Sequence, residues 1–313
     1  MAEKAHPVPV LIVTYNGIQW IQRCLNSLLE SNVQVDVFVV DNASTDGTGD
    51  VIRNQFHHVN LTRLEENVGF SRANNIGLQK IDEKYQEVGF SGVFLLNQDA
   101  YVTCDTLGVL ALAAARNKEF GVISPIHLNG SASALDKQFG MYCKESGIDE
   151  ELLFEFVVTG SDAGQSNLES AIIEIDFVNA AAWYVTSDCL SKVGYFSPKF
   201  FMYGEDSEYL NRVRHAGLKV GIHKGTSILH DREHRPAKPR QQAELDFFKT
   251  KSLITLLHPS YGNLQKWHII FDELFKTFVV GFLRNPVLSI RLLFRKLVIL
   301  MRVIKCAKTP DAD

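Results

Sequence analysis

The first 125 residues alternate between short apolar runs and amphipathic helical patterns, and this alternation restricts the fold more than any other feature of the sequence. Apolar residues recur at helical spacing between the runs, as in Ile21, Leu25 and Leu28. Such alternation predicts an α/β fold with a mostly parallel central sheet, right-handed crossovers and helices on both faces. The predicted strands are residues 8–13, 35–40, 59–64, 93–96 and 121–124.

Polar clusters follow three of these strands, at residues 14–16, 41–46 and 97–99. Ligands bind open α/β sheets at the carboxyl ends of the strands, so the clusters predict one binding site if their strands are neighbours. Asp99 either holds Mg²⁺ or Mn²⁺ through its carboxylate or caps the following turn. Asp41 either accepts a hydrogen bond from a pyrimidine N3–H or forms a turn.

The second half of the sequence has a weaker pattern. Residues 128–170 are rich in Gly, Ser and Asp and predict loops or a small insert, whereas 220–222 and 227–229 predict two short strands. Glu205 and Asp206 open a helix that Gly217 is placed to end. The acidic pair either stabilises the helix dipole or supplies a general base that deprotonates a hydroxyl group.

Several functional classes are excluded or disfavoured. A net charge of -4 gives no indication of nucleic-acid binding. Five widely spaced cysteines predict reduced thiols and a cytoplasmic protein, and the first nine residues lack the apolar segment of a signal peptide. His230-Asp231-Arg232-Glu233-His234 matches a zinc-peptidase pattern, but it follows a strand and precedes two prolines, which disfavours the required helix. Neither GxGxxG after the first strand nor a P-loop occurs, which argues against dinucleotide and P-loop sites.

The C-terminal segment, residues 263–313, has a different composition. Between 263 and 308 it holds nine Lys and Arg against two acidic residues and is rich in Phe, Leu, Ile and Val. Asn285-Pro286 divides it into two predicted helices, and four basic side chains share a face about 80° wide: Arg291, Arg295, Arg302 and Lys305. Two interpretations stay open: a helical hairpin packed on the catalytic domain, or an interfacial helix on the inner face of an anionic membrane.

Five sequence motifs occur in the order that one known family shows. They are VLIVTYNG (10–17), VVDNASTDGT (39–48), ENVGFSRANNIG (66–77), FLLNQDA (94–100) and FFMYGEDSEYLNRVRHAG (200–217). In these motifs the chain resembles inverting family-2 glycosyltransferases of the GT-A fold, close to the rhamnosyltransferase-like branch. The resemblance covers about residues 8–230 and implies a catalytic domain over 1–262, with a nucleotide-binding half at 8–125 and an acceptor-binding half at 126–262. Residues 263–313 then form a C-terminal helical extension.

The resemblance also implies roles for individual residues. Asp206 is expected as the catalytic base with Glu205 beside it, and Asp99 and His230 as ligands of Mg²⁺ or Mn²⁺. Asp41 is placed to bind the pyrimidine ring. The remaining residues expected to bind substrate are Thr14, Tyr15, Asn16, Asn67, Gly69, Arg72, Asn75 and Asn97. Asn97 departs from the family, which usually has Asp at this first position of the acidic motif.

The resemblance implies transfer of a sugar from a UDP- or dTDP-sugar donor to a glycan or lipid-linked acceptor hydroxyl in cell-envelope polysaccharide synthesis. Rhamnose is the candidate sugar. One alternative is a non-catalytic nucleotide-sugar-binding protein, a degenerate transferase, which Asn97 alone supports. A nucleotidyltransferase would need a basic, glycine-rich loop after the first strand, and residues 14–22 contain no Lys or Arg. A scaffold protein would not need polar clusters at three strand ends.

Overall fold

The computed structural model describes residues 6–159, 171–232, 239–284 and 286–310. Its strands are β1 Val8–Thr14, β2 Val35–Asp41, β3 Asn60–Arg63, β4 Gly92–Asn97, β5 Ala100–Val102, β6 Phe120–Asn129, β7 Ile172–Glu174, β8 Ala182–Thr186 and β9 Lys219–His230. Its helices are α1 Ile21–Leu29, α2 Thr48–Gln55, α3 Phe70–Tyr85, α4 Thr106–Arg116, α5 Lys137–Glu145, α6 Glu150–Thr159, α7 Ser187–Val193, α8 Glu205–His215, α9 Arg240–Leu257, α10 Asn263–Arg284 and α11 Pro286–Lys308.

Within these residues, nine strands form one sheet in the order β3-β2-β1-β4-β8-β6-β9-β5, and β7 pairs with β9. Strands β1 to β4 are parallel to one another where they pair. Strand β6 runs in the same direction as β4, because β8 lies between them and is antiparallel to both, and β9 pairs with β6 in parallel. The predicted α/β sheet with flanking helices is confirmed. From β1 the chain adds β2 and β3 on one side and then β4 on the other side. Open α/β sheets form a ligand-binding crevice at the carboxyl ends of the strands where the order switches in this way.

The sheet is buried on both faces. Leu11 points into one apolar cluster with Trp183 and Tyr209, whereas its neighbours Val10 and Ile12 point into the other, beneath α1, α2 and α4. Successive strand side chains alternate between faces, so a strand with helices on both sides must be apolar throughout. This requirement explains why the apolar runs identified the first strands correctly.

Two parts of the second half differ from the sequence-based expectation. Residues 128–170 are not irregular throughout, because α5 and α6 lie there; Asp136 begins α5 by accepting hydrogen bonds from the Gln138 and Phe139 N–H groups. The Gly, Ser and Asp residues of this segment led to the prediction of loops, but α5 and α6 bury apolar side chains, among them Phe139 and Leu153. The two short strands expected at 220–222 and 227–229 are one strand, β9, whose pairing with β6 is irregular between Pro125 and Ile126.

The C-terminal helices α9, α10 and α11 pack together around Phe248, Ile270, Leu274 and Leu300. A second cluster joins them to the segment that precedes α8, through Phe200, Leu253 and Val303. Helix α9 lies before the predicted boundary at residue 262, yet it packs with the two tail helices. Among the described residues, no helix combines the length and the apolar character needed to cross a bilayer.

Candidate functional site

A cleft of about 390 Å³ opens at the carboxyl ends of β1 and β4. Side chains from both halves of the sequence line it, and Asp99 and Asp206, which are far apart in the chain, share it. The three polar clusters therefore converge on one edge of the sheet. The lining consists of Val13, Tyr15, Asn16, Trp20, Asn42, Asn67, Phe70, Asn97, Gln98, Asp99, Asn179, Ala180, Ala181, Met202, Tyr203, Glu205, Asp206 and Arg232.

The sheet side of the cleft is built by loops that hydrogen-bond to one another. The Asn16 N–H donates to Ser44 Oγ at 2.9 Å, and the Asn16 side chain accepts from the Thr45 N–H at 2.9 Å. Gln98 Oε1 accepts from the Tyr15 N–H at 2.9 Å and also from the Thr14 hydroxyl. These bonds join the loops after β1, β2 and β4 into one surface whose shape is fixed before a ligand binds.

Gly69 connects this side to the loop that precedes α8. It has φ +86°, and a Cβ added there would lie 2.5 Å from the Phe201 carbonyl oxygen. The next residue, Phe70, donates its N–H to that same oxygen at 2.7 Å. Asn67, which lines the cleft, accepts from the Gly69 N–H and from the Asn42 side chain, both at 2.9 Å. Glycine is thus required both for its conformation and for the close approach of the two backbones.

Asp99 lies at the inner end of the cleft, and His230 is buried directly behind it, outside the cleft lining, because β5 and β9 pair Ala100 with His230. His230 Nε2 lies 3.5 Å from Asp99 Oδ1, and His230 Nδ1 lies 3.4 Å from Asp136 Oδ2. Burial works against ionisation of Asp136, but hydrogen bonds from His230 and the Phe139 N–H, with the Arg232 cation, hold its pKa well below the usual range. Asp136 therefore orients His230 from the side opposite Asp99.

Asp99 and His230 offer a neighbouring oxygen and nitrogen ligand to a divalent cation. The described ranges contain no group of three or more His, Cys, Asp or Glu side chains arranged to hold a metal. Mg²⁺ and Mn²⁺, however, are often held by one or two protein ligands together with substrate phosphate oxygens. The buried Asp99 carboxylate and His230 imidazole, with a second carboxylate on the far side of the imidazole, match that kind of donor set.

Arg232 follows the same strand end and also lines the cleft. Its Nε lies 3.7 Å from Asp136 Oδ2 and within 3.2 Å of both ring nitrogens of His230, and its Nη1 donates to Gln138. The cleft therefore contains a fixed cation beside Asp99. Glu233 and His234, the remainder of the zinc-peptidase pattern, lie outside the described residues.

Glu205 and Asp206 form the opposite wall, at the first turn of α8. Burial raises the pKa of Glu205 to about 8, and the adjacent Asp206 carboxylate adds to the effect. Burial also raises the pKa of Asp206, but Asp206 accepts the Ser207 N–H at 2.7 Å and is further opposed by the Arg232 cation. The contacts that favour an ionised carboxylate are therefore on Asp206, while Glu205 is largely protonated at neutral pH.

Two unusual features lie beside this pair. Tyr203 has φ +69°, a conformation that bulky side chains rarely adopt and that occurs preferentially at functional sites. Asn179 is only 6% exposed, and neither its Nδ2 nor its Oδ1 has a hydrogen-bond partner among the residues that the structure describes. An amide left in that state is costly unless a ligand or water satisfies it. The Asn179 amide, which lines the cleft, is therefore suited to bind a polar group of a ligand.

The structure places some predicted site residues away from the cleft lining. Asp41 is buried at the end of β2, where its carboxylate accepts the Ser44 N–H at 3.0 Å and lies 3.4 Å from Arg63 Nε. Arg72 and Asn75 line a second cavity, between α3 and α8, and Asn75 bonds the Phe196 backbone through both amide atoms. Thr14 is fully buried beneath Gln98. Their expected roles in substrate binding stay predictions.

Several cleft residues were not identified from the sequence. Trp20, Gln98, Asn179 and Tyr203 line the cleft, and Asp136 supports His230 from behind. Gln98 could have been predicted, because it lies within the polar cluster 97–99 that follows a predicted strand. Asn179 and Asp136 come from segments without a regular hydrophobic period, so only their positions in space reveal them.

Comparisons with known proteins were made with the sequence and with the structure. Residues 10–157 match the family model described as Glycosyl transferase family 2. The chain is 25% identical over 235 residues to the N-acetylglucosaminyl-diphospho-decaprenol L-rhamnosyltransferase of Mycobacterium tuberculosis, covering 72% of this chain and 76% of that protein. It is 24% identical over 243 residues to the low-salt glycan biosynthesis hexosyltransferase Agl10 of Haloferax volcanii, covering 76% of this chain and 72% of that protein.

Among solved structures, S. aureus TarS 1-349 in complex with UDP-GlcNAc is similar, with a TM-score of 0.58 and 18% identity, over 96% of this chain and 82% of TarS. GalNAc-T7 with UDP, GalNAc and Mn²⁺ gives a TM-score of 0.54 and 12% identity, over 81% of this chain and 48% of that one. At these identities the likeness bears on the fold, which is of the GT-A type.

Proposed function

Because the chain is a family-2 glycosyltransferase, with the family domain over residues 10–157, we propose that it transfers a sugar from a UDP- or dTDP-sugar to an acceptor hydroxyl. The observation that carries the proposal is the shared cleft. Asp99, which follows β4, lines it on the sheet side, and Asp206, in the first turn of α8, lines it on the helix side. The sheet side of the cleft suits a nucleotide diphosphate, and the helix side supplies a base. A protein that only bound nucleotide sugars would need the sheet side alone.

The chemical step is a single displacement at the anomeric carbon. Asp206 accepts the proton of the acceptor hydroxyl while the oxygen forms its bond to that carbon. The bond from carbon to the diphosphate oxygen breaks on the opposite face, and the electron pair leaves with the nucleoside diphosphate. Attack from the face opposite the leaving group inverts the anomeric configuration.

Charge develops on the leaving diphosphate, and the inner end of the cleft is suited to balance it. Arg232 provides a fixed positive charge there, next to Asp99 and His230. A divalent cation held by Asp99 and His230 would supply further neutralisation of the phosphate oxygens. Fixed charges aimed at developing charge are usually the largest contribution to catalysis of this kind.

Asn179 is suited to recognise sugar hydroxyl groups, because its amide lines the cleft with a donor and an acceptor that no described residue of the chain engages. A hydroxyl can both donate and accept, so one sugar hydroxyl pair would satisfy both atoms. We assign Asn179 to the transferred sugar or to the acceptor sugar, either of which lies between the two walls during transfer.

The acceptor is proposed to be a glycan or a lipid-linked glycan used in building the cell envelope, on the cytoplasmic side. This proposal rests on the relative from Mycobacterium tuberculosis, whose name specifies an N-acetylglucosaminyl-diphospho-decaprenol acceptor and L-rhamnose as the sugar. Rhamnose is accordingly the first sugar to test.

The test begins with a panel of UDP- and dTDP-sugars, scored by thermal shift with Mn²⁺ and with Mg²⁺, since a bound donor stabilises the folded state. The donors that bind are then offered with a lipid-linked N-acetylglucosamine acceptor, and NMR of the product establishes the anomeric configuration. Binding without transfer to any acceptor would favour the non-catalytic alternative. Retention of configuration would contradict the single displacement.

A further inference from the structure

Helices α10 and α11 leave large apolar side chains in solvent along one stripe of each helix. On α10 the stripe consists of Leu264, Trp267, Phe271, Phe275, Phe278 and Val279, spaced three or four residues apart except at its end. Phe275 is 65% exposed. Three- and four-residue spacing keeps side chains on one face of a helix, so these residues form a continuous apolar strip.

The stripe on α11 follows the same spacing and consists of Val287, Ile290, Phe294, Leu297 and Met301. Phe294 is 67% exposed. Neither stripe is the face that packs in the helical bundle, because that face carries Ile270, Leu274, Leu300 and Val303. Monomeric soluble proteins rarely expose apolar strips of this extent without a partner.

Basic side chains border the apolar stripe of α11. Arg291, Arg295 and Arg302 each follow within one residue of a stripe residue, and Lys305 lies one turn beyond Met301. All four are exposed, and within the described parts of the chain none of them forms an ion pair. The one buried cation of the helix, Lys296, is bonded to Glu244 and Thr277 instead. Helix α11 contains no acidic residue.

We propose that the hairpin of α10 and α11 binds the surface of an anionic phospholipid bilayer. Apolar side chains enter the boundary between headgroups and acyl chains, and the long basic side chains beside them reach anionic headgroups. Each cation near such a surface adds to the attraction. The inference rests on this surface and not on the proposed sugar transfer, so either can fail without the other.

The charge pattern favours lipid over a second copy of this chain. A two-fold dimer through α11 would bring the same face of both helices together and set the unpaired cations of one copy against those of the other. An anionic surface instead complements them. The contact is peripheral, since no described helix is apolar enough to span a bilayer.

The experiment uses the full chain and point variants. Deletion of the hairpin is unsuitable because it would expose Phe248 and Phe200, which pack against it. Co-sedimentation is measured with vesicles of phosphatidylcholine alone and with about 30% phosphatidylglycerol added. The charge variant is Arg291→Gln with Arg295→Gln and Arg302→Gln, and the apolar variant is Phe275→Ser with Phe294→Ser. Arg53→Gln with Lys80→Gln and Lys192→Gln, and Leu29→Ser with Val88→Ser, are the matched exposed controls.

The full chain is expected to bind the anionic vesicles and to bind phosphatidylcholine weakly. The charge variant should lose about 100-fold in partitioning and the apolar variant at least about tenfold, while the controls are unchanged. Trp267 provides a second readout, because brominated lipid should quench its fluorescence, and Trp267→Phe should remove that quenching. Absence of binding by the full chain, or equal binding by all variants, overturns the proposal. So does a stable dimer in sedimentation equilibrium that the apolar variant dissociates without any vesicle binding.

Discussion

The two walls of the cleft satisfy their polar groups in different ways. On the sheet side, Asn16, Asn67 and Gln98 are hydrogen-bonded to neighbouring loops. On the helix side, Glu205 is buried with one side-chain oxygen that has no hydrogen-bond partner among the described residues, and Tyr203 has a left-handed backbone. The difference fits the proposed function: the sheet side needs no ligand to satisfy its polar groups and would position the donor, whereas the helix side bears an energetic cost that a bound substrate would relieve.

The largest effect should come from the helix wall. Asp206→Asn removes the base but keeps the size of the side chain, so transfer should fall about 100- to 10,000-fold while donor binding is retained. Single-turnover transfer and calorimetric donor titration measure the two quantities. Asp188→Asn, at an exposed carboxylate on α7, is the control. If Glu205→Gln loses as much activity as Asp206→Asn, the base has been assigned to the wrong carboxylate.

Asp99→Asn tests the inner end of the sheet wall. Loss of the carboxylate should reduce transfer about 100- to 1,000-fold and raise the Mn²⁺ concentration needed for half-maximal activity. His230→Gln should raise that concentration as well. Rates over a Mn²⁺ titration provide the measurement. An Asp99→Asn enzyme with an unchanged Mn²⁺ dependence would show that the cation, if any, binds elsewhere.

Asn179→Ala separates recognition from folding. Within the described parts of the chain the amide has no hydrogen-bond partner, so its removal should leave the melting temperature unchanged or slightly higher, while kcat/KM falls about 10- to 100-fold. Steady-state kinetics and thermal denaturation are compared on the same sample. A lower melting temperature with unchanged kcat/KM would assign Asn179 to the structure of the wall instead.

Gly69→Ala tests the contact between the walls. The added methyl group has to occupy a positive φ and meets the Phe201 carbonyl, so we expect a loss of about 2 kcal/mol in the free energy of unfolding. Gly89→Ala is the matched control, since Gly89 has φ +70° with open space around its Cβ position. Denaturant titration of both variants isolates the contribution of the close approach. Equal losses would mean that only the conformation matters.

The smallest effect concerns the pH dependence of stability. Glu205 has a pKa raised from 4.5 to about 8, so between these values the folded protein binds a proton that the unfolded chain releases. Stability therefore falls as pH rises through this range. The side chain that Glu205→Gln introduces cannot ionise, so this variant lacks the pH dependence. The melting temperature of the variant minus that of the original protein should therefore increase by about 3 °C from about pH 5 to about pH 9. Glu87→Gln, at an exposed position, should show no such trend.

Much of the sheet wall could be predicted from the sequence, because buried parallel strands are apolar throughout and their polar ends mark the binding edge. Residues 14–16 and 97–99 were found in this way, and Asp99 does line the cleft. The helix wall was only partly predictable. Glu205 and Asp206 stood out as an acidic pair at a helix start, but the left-handed backbone of Tyr203 had no local signal. On the sheet side, Asn179 was missed because it precedes β8, whose antiparallel insertion between β4 and β6 leaves no local signal either.

The sequence by itself determined the alternating elements, the chain positions of the polar clusters and the basic, apolar character of the last two helices. These follow from local patterns that persist in any arrangement of the chain. Only the tertiary structure decided that Asp99 meets His230, that burial raises the pKa of Glu205, and that the apolar stripes of α10 and α11 remain in solvent. Solvent exclusion and contact depend on which distant segments come to lie alongside a residue, and no local pattern specifies that.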